Sequence, residues 1–225
     1  MLNLILVEAA LEIVPPRIRS HPSVINSAAK RGKKPSQILL DRSLHHAAMK
    51  SLPKANRRGR PDITHFCLLE ALGSPLNIEG RLRTWVNTFE GFTIEVSPKA
   101  RLPRDCNRFN GLMEQLFQHG RVPPRDNEPL LTMTSMGLSV LIERVESTRT
   151  IALTSHGEHR SLQDLCRSLI DEDSPTIFIG AYPSGPMEEK TLSIADEAVS
   201  VYPRALEAWV VTSRVIYEFE RACNV

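Results

Sequence analysis

Three arginines, Arg101, Arg104 and Arg108, stand in the Pro-punctuated stretch Pro98-Lys-Ala-Arg-Leu-Pro-Arg-Asp-Cys-Asn-Arg108. A guanidinium is a planar fork that matches phosphate oxygens in pairs, where a lysine offers a point charge. Rigid arginine loops of this kind suit folded RNA, which is recognised by backbone shape and unstacked bases. Arg60-Pro61-Asp62 is a second such place. An Arg and an Asp two apart, braced by proline, can fix each other's rotamers and present the guanidinium to RNA. Asp62 also stands where a helix N-cap belongs, and a carboxylate has oxygens for both tasks. It is in addition a candidate general base. Aromatic residues make up 5% of the chain, too few for a base-stacking sheet.

A second kind of chemistry is offered by three small-residue loops, each following a short apolar run: Thr154-Ser-His-Gly157, Gly180-Ala-Tyr-Pro-Ser-Gly185 and Tyr202-Pro-Arg-Ala205. In an open α/β sheet, ligands gather outside the carboxyl ends of the strands. These loops therefore either line one pocket or are plain turns. In a pocket, Gly180 and Gly185 would let the backbone approach a flat adenine or a ribose. There is no GxGxxG and no GxxxxGK[ST], so neither a dinucleotide fold nor a P-loop is supported. His156 and His159 lack a carboxylate at metal-ligand spacing and read as surface histidines, as do His45 and His46. Cys67, Cys106, Cys166 and Cys223 are too scattered for a zinc site or a disulfide framework and suit a reducing compartment. No metal is expected.

The 225 residues hold 28 Lys+Arg and 26 Asp+Glu, a formal balance of +2. The balance hides a split: residues 1–125 carry 20 basic and 10 acidic residues, and residues 126–225 carry 8 and 16. An anionic partner met mainly by the first half follows from that asymmetry, unless folding interleaves the halves. The length fits one domain with a substantial core, and the composition excludes coiled coil, collagen and wholesale disorder. Met1–Val7 is apolar but has no basic flank, and Glu8 and Glu12 cut it short. It is neither a signal peptide nor a membrane span.

The elements that must position these groups alternate. Leu2–Val7 reads as a buried strand. A Pro-rich basic stretch from Pro15 to Lys34 reads as loop. Ser36 after Pro35 predicts the N-cap of a helix carrying Ile38, Leu39, Leu40, Leu44 and Ala48. After the basic loop Lys54–Arg60, Asp62 predicts the cap of a helix carrying Phe66, Leu68, Leu69 and Leu72, closed by Gly73 and Pro75. Leu82–Thr88 and Phe92–Val96 form a hairpin around Glu90-Gly91. Phe109–His119 is a helix ending at Gly120, and Pro123–Pro129 is a break. Leu138–Ile142 and Thr150–Leu153 are short apolar runs. Ser161 with Asp164 opens a helix. Thr176–Ile179 has the continuous apolar form of a buried parallel strand, and Ala198–Val201 is another strand. Ala205–Cys223 is helical, with Trp209 in the core or on a dimer seam. This alternation predicts α/β with a parallel sheet.

Taken together, Arg60-Pro-Asp-Ile-Thr-His65, Cys67-Leu-Leu69, Ser74-Pro-Leu-Asn77, Ile94-Glu-Val96, the Arg101/Pro103-Arg104/Arg108-Phe109 run, Gly111-Leu-Met113 and the Gly180–Gly185 loop carry a resemblance. The chain resembles, over about residues 2–222, the pseudouridine-N1-specific methyltransferases of small-subunit ribosomal RNA, the nucleolar-essential-protein family of the SPOUT class. The resemblance implies one domain over 1–225: an α/β, SPOUT-type sheet with a C-terminal trefoil knot and a small family-specific insertion. Basic RNA-binding loops would lie mainly in 15–125, and the knot that binds S-adenosyl-L-methionine in about 150–225. The implied cofactor positions are Thr154, Gly180, Gly185, Val201, Tyr202, Pro203, Arg204, Ala205 and Leu206. The implied RNA positions are Arg60, Asp62, Arg101, Arg104 and Arg108, with Arg60 and Asp62 positioning the substrate and no obligatory catalytic base.

The implied substrate is N1 of a pseudouridine in a hairpin loop of small-subunit ribosomal RNA, modified during ribosome biogenesis. The implied partners are a second copy of the chain and ribosomal assembly proteins, with no membrane. The third loop reads Tyr202-Pro-Arg-Ala205 where eukaryotic members read Tyr-Pro-Leu-Ser, and the chain lacks their polar N-terminal extension. An archaeal, cytoplasmic protein is expected; a eukaryotic one would be nucleolar. Two alternatives stay open: an RNA-binding assembly factor whose required role is not catalytic, and a methyltransferase of a different RNA.

Overall fold

The computed structural model describes residues 1–225. Strand β1 (Leu2–Ala9) is buried along its whole length, as an apolar run at both residue parities must be. It pairs in parallel with β2 (Leu82–Thr88) on one side and β7 (Pro175–Gly180) on the other. Around it eight strands form one sheet, ordered β4-β5-β3-β2-β1-β7-β6-β8. Strand β6 (Arg149–His159) runs parallel to β7 and to β8 (Glu197–Ser200). Strands β3 (Thr93–Val96), β4 (Arg121–Val122) and β5 (Leu131–Thr134) complete the other side in antiparallel pairs.

Alternate residues of β1 feed different cores. Leu4 and Leu6 face a cluster with Ile63, Cys67 and Leu68 of α3 (Pro61–Gly73), Phe109 and Met113 of α5 (Cys106–His119), and Val215, Ile216 and Phe219 of α9 (Ala208–Cys223). The short helix α4 (Pro75–Ile78) and α7 (Leu162–Leu169) close the same face. Ile5 and Val7 face Trp85, Phe178, Met187 and Leu141 of α6 (Leu138–Arg144), with α8 (Glu189–Leu192) beside them.

A third, smaller core joins α1 (Pro22–Lys30) to α2 (Arg42–Met49) through Val14, Val24, Ile38, Leu40 and Met49. Glu114 of α5 fastens this unit to the rest. Its fully buried carboxylate accepts from Arg31 at 2.5 and 2.7 Å, from Lys33 at 2.6 Å and from the Leu39 amide at 3.0 Å.

Several expectations need correction. Ser36 caps no α-helix: Pro35–Gln37 is a single 3-10 turn, and Leu39 then bridges Ile13 in extended form. Helix α2 begins at Arg42 because the Asp41 carboxylate accepts from the Ser43 amide at 2.8 Å. The basic stretch read as loop contains α1, with Pro22 in its first turn and the His21 ring as cap. Asp62 does not cap α3; the cap position is Arg60. The run Leu138–Ile142 is helical. The terminal helix starts at Ala208, leaving Ala205 and Leu206 in the preceding loop. His45 is no surface histidine. It is 1% exposed, and its Nδ1 accepts from the Asp41 amide at 3.0 Å.

Candidate functional site

Because β1, β6, β7 and β8 are parallel, their carboxyl ends share one rim of the sheet. There the segments after Leu153, Ile179 and Ser200 enclose a cavity of about 430 Å³. Thr154, Gly180, Gly185, Val201, Tyr202, Arg204, Ala205 and Leu206 line it; Pro203 does not. The walls also include Tyr182, within the second small-residue loop, and Ile63, Met187, Glu207, Val210 and Val211, which the sequence did not mark as cofactor positions. Ile63 and Val210 arrive from helices, so no loop motif could have marked them. Tyr182-Pro183 after β7 repeats the Tyr202-Pro203 pair after β8, a signal that was legible.

The small residues of the loops have specific reasons. The segment read as a loop, Thr154–Gly157, is part of β6, whose register slips so that both Leu153 and Glu158 pair with Val199. A Cβ on Gly157 would lie 2.5 Å from the Ala198–Val199 peptide, so only glycine lets this excursion close. Gly180 lines the cavity and also makes room within the loop. A Cβ there would meet the Tyr182 ring at 2.7 Å, so the missing side chain seats that ring. Gly185 has φ of +93°, outside the range open to most side chains.

Helix α3 begins beside this cavity and links it to the arginines. Ile63 lies in the cavity wall. One residue earlier in the same first turn, Asp62 is held in a two-pronged pair by Arg60, Nε to Oδ1 at 2.8 Å and Nη2 to Oδ2 at 2.7 Å. That pair raises the Arg60 pKa, and the Glu207 charge of the cavity wall adds to the effect. Both carboxylate oxygens of Asp62 thus steady the guanidinium, and each keeps a further lone pair.

One turn further on, the His65 ring stacks on Phe109 at 4.2 Å and its Nε2 contacts the Pro103 carbonyl oxygen at 2.7 Å. A carbonyl only accepts, so Nε2 carries the hydrogen, and a neutral ring leaves Nδ1 bare. Burial pushes the His65 pKa down, which favours that form. His65 thereby pins the loop of Arg101 and Arg104 to α3. Arg108 follows on the first turn of α5, whose cap is Asp105 accepting from the Arg108 amide at 2.9 Å. All three arginines are exposed. The side-chain ion pairs of the molecule involve none of them.

The two buried histidines make stability depend on pH. Burial is the largest influence on both His45 and His65, and it lowers both below the ordinary value of 6.5. Their contribution is complete above pH 6.5 and is lost as pH falls through the lower folded values, because the unfolded chain takes up the protons first. Melting temperature is therefore expected to drop from about pH 7.5 to about pH 5, and less steeply in His65→Phe. Parallel pH dependences in thermal melts of the two proteins would contradict this reading.

His156 and His159 are both exposed, the latter with Nδ1 3.1 Å from the Ser200 carbonyl oxygen, to which it donates. Burial raises the Cys67 and Cys166 thiols to about 12, so neither is a ready nucleophile. The rim therefore offers a cleft for a small molecule next to a row of unpaired guanidinium groups.

The chain is similar to named relatives along nearly its whole length. A protein of Staphylothermus marinus described as ribosomal RNA small subunit methyltransferase Nep1 is 44% identical, covering 100% of this chain and 97% of the relative. Its counterpart in Thermococcus kodakarensis, of the same description, is 43% identical over the full length of both. The crystal structure of Archaeoglobus fulgidus Nep1 bound to S-adenosylhomocysteine superposes with a TM-score of 0.89 at 37% identity, covering 99% of each chain. The sequence description of the EMG1/NEP1 methyltransferase family matches residues 4–220. Matched by the family over nearly its whole length and by relatives more than 40% identical, the chain belongs to the EMG1/NEP1 methyltransferase family.

Proposed function

We propose that this protein is an S-adenosyl-L-methionine-dependent methyltransferase of small-subunit ribosomal RNA, acting on N1 of a pseudouridine in a hairpin loop during ribosome biogenesis. The observation that carries this reading is the start of α3, where Ile63 walls the rim cavity, Arg60 and Asp62 pair beside it, and His65 one turn on holds the loop of Arg101 and Arg104. A small-molecule cleft and a phosphate-binding row meet there.

The cavity fits the cofactor. Its volume lies within the range of small-ligand sites. Apolar side chains such as Leu153, Ile179, Val201 and Val211 suit a flat base, and Thr154, Ser155, Ser184 and Glu207 suit the hydroxyl and amino groups of a nucleoside carrying an amino acid. The bound cofactor supplies a sulfonium methyl; transfer to N1 leaves a thioether and releases the N1 proton. No His or Lys lines the cavity; the proton passes to water or to the Asp62 carboxylate. Arg101, Arg104 and Arg108 neutralise phosphates, and Arg60, steadied by Asp62, holds the hairpin. Ordering the two reactants in this way is worth roughly 7–11 kcal/mol of the barrier. A base in a hairpin loop leaves its stack at little cost.

The return of β6 to Val199 supports a threaded, trefoil-knotted tail in a single domain spanning the chain. The α1–α2 unit with its separate core supports a family-specific insertion. The half-exposed Phe66, edge-on to Trp209 at 5.3 Å, supports a homodimer seam along α3 and α9. Archaeal relatives support a cytoplasmic, archaeal protein, and no helix is long and apolar enough to cross a membrane. Ribosomal assembly proteins are proposed as further partners. Mass spectrometry of a pseudouridine-containing hairpin after incubation with protein and cofactor tests the function. A methyl on N1 is expected; an unmodified hairpin, or a methyl elsewhere, overturns the assignment.

A further inference from the structure

The loop after β7 forms one wall of the cofactor cavity, yet its shape is imposed by residues from the opposite end of the sequence. Arg57 is 6% exposed. Its Nη1 donates to the Pro186 carbonyl oxygen and its Nη2 to Oε2 of Glu8. The guanidinium lies over the Tyr182 ring, 3.7 Å from the ring centre. The other oxygen of Glu8 accepts from the Glu188 amide at 2.9 Å. Glu8 keeps this position at the end of β1 with φ of +53°, a conformation rare for a residue with a side chain. One guanidinium–carboxylate pair thus fixes the loop at Tyr182, Pro186 and Glu188. Neither Arg57 nor Glu8 lines the cavity itself.

The arginine belongs to the segment that also faces RNA. Asn56 exchanges hydrogen bonds with Ser184 on the same loop, and Lys54 pairs with Glu188. Beyond Arg57 come Arg58, paired with the buried Glu12, and then Arg60 on Asp62. The seven residues from Lys54 to Arg60 therefore run from the cofactor loop to the RNA-facing arginine without a free stretch between them.

We propose that Arg57, seated on Glu8, is a positioning residue that presets the cofactor loop and links it to Arg60, so that cofactor and RNA strengthen each other's binding. The proposal rests on the cofactor reading of the cavity. A loop held in its binding shape before the ligand arrives binds more tightly because less ordering remains to be done. A segment touching both sites transmits a bias from one to the other, and the coupling is reciprocal.

The test uses Arg57→Lys, which keeps the charge but cannot bridge Glu8 and Pro186 while lying flat on Tyr182, and Glu8→Gln, which keeps the volume but loses the ionic seat. Calorimetry with S-adenosylhomocysteine and anisotropy with a pseudouridine hairpin, each with and without the other ligand, supply four affinities per protein. Both variants are expected to bind S-adenosylhomocysteine about tenfold more weakly and to bind RNA alone within about twofold of the parent. The gain in RNA affinity on adding S-adenosylhomocysteine, present in the parent, is expected to vanish.

Unchanged S-adenosylhomocysteine affinity in folded variants overturns the proposal, and so does an equal loss for both ligands taken separately, which marks general damage. Should Arg57→Lys unfold by circular dichroism, Glu8→Gln, isosteric and outside the cavity, decides alone. A parent protein that takes no S-adenosylhomocysteine overturns the cofactor reading itself, an outcome distinct from failure of the variants.

Discussion

Replacing Arg101 and Arg104 together with alanine is expected to weaken binding of a pseudouridine hairpin by about tenfold at 0.15 M salt. The plot of log affinity against log salt should flatten by roughly 0.7–0.9 per lost phosphate contact. Both side chains are exposed and outside the molecule's ion pairs, so truncation leaves no buried charge behind and the fold should be indifferent. The effect belongs to RNA alone, and S-adenosylhomocysteine affinity stays at the parent value. Anisotropy titrations at several salt concentrations read the slope directly. A slope equal to that of the parent would remove this loop from the RNA face.

Gly185→Val is expected to weaken S-adenosylhomocysteine binding by roughly 5- to 150-fold, the equivalent of about 1–3 kcal/mol of backbone strain. Two obstacles meet at this position. The φ of +93° is closed to a β-branched residue, and a Cβ would stand 3.3 Å from Nη1 of Arg57. The chain relieves both by moving the loop, and the loop is a cavity wall. The segment lies past the end of β7 and contributes no strand pairing, so the melting temperature should fall by only a few degrees. A folded variant with parental affinity in calorimetry would take Gly185 out of the cofactor site.

What the sequence shows and what it hides divide along sequence separation. Strand β1 and strand β7 were legible because a strand buried on both faces must be apolar at both parities. The hairpin at Glu90-Gly91 and the Ser161 cap were legible because a few adjacent residues decide them. Helix α1 was hidden by its own composition: prolines and lysines read as loop, whereas Pro22 sits in the first turn, where its missing N–H costs nothing. Ser36 misled because a good cap was followed by residues needed elsewhere; Leu40 instead donates its amide to Glu12, in extended form.

The site was half legible for the same reason. Eight of the nine residues that the family resemblance implies around the cofactor line the cavity, whereas the small-residue loops taken alone left pocket and plain turn both open. The roles of Gly180, His65, Arg57 and Glu8 depend on partners brought close only by the finished fold, such as the Tyr182 ring and the Pro103 carbonyl.

Most strongly placed carboxylates of the basic half already own a cation: Glu8 holds Arg57, Glu12 holds Arg58, Asp62 holds Arg60, and Glu114 holds Arg31 and Lys33. Three of these four pairings are buried on the acidic side, where dissolved ions screen little. The open guanidinium groups of residues 101, 104 and 108 feel the full ionic atmosphere. Potassium chloride therefore acts as a selective solvent variable on this molecule: it slows the encounter with a polyanion while leaving the internal scaffold of charges almost untouched.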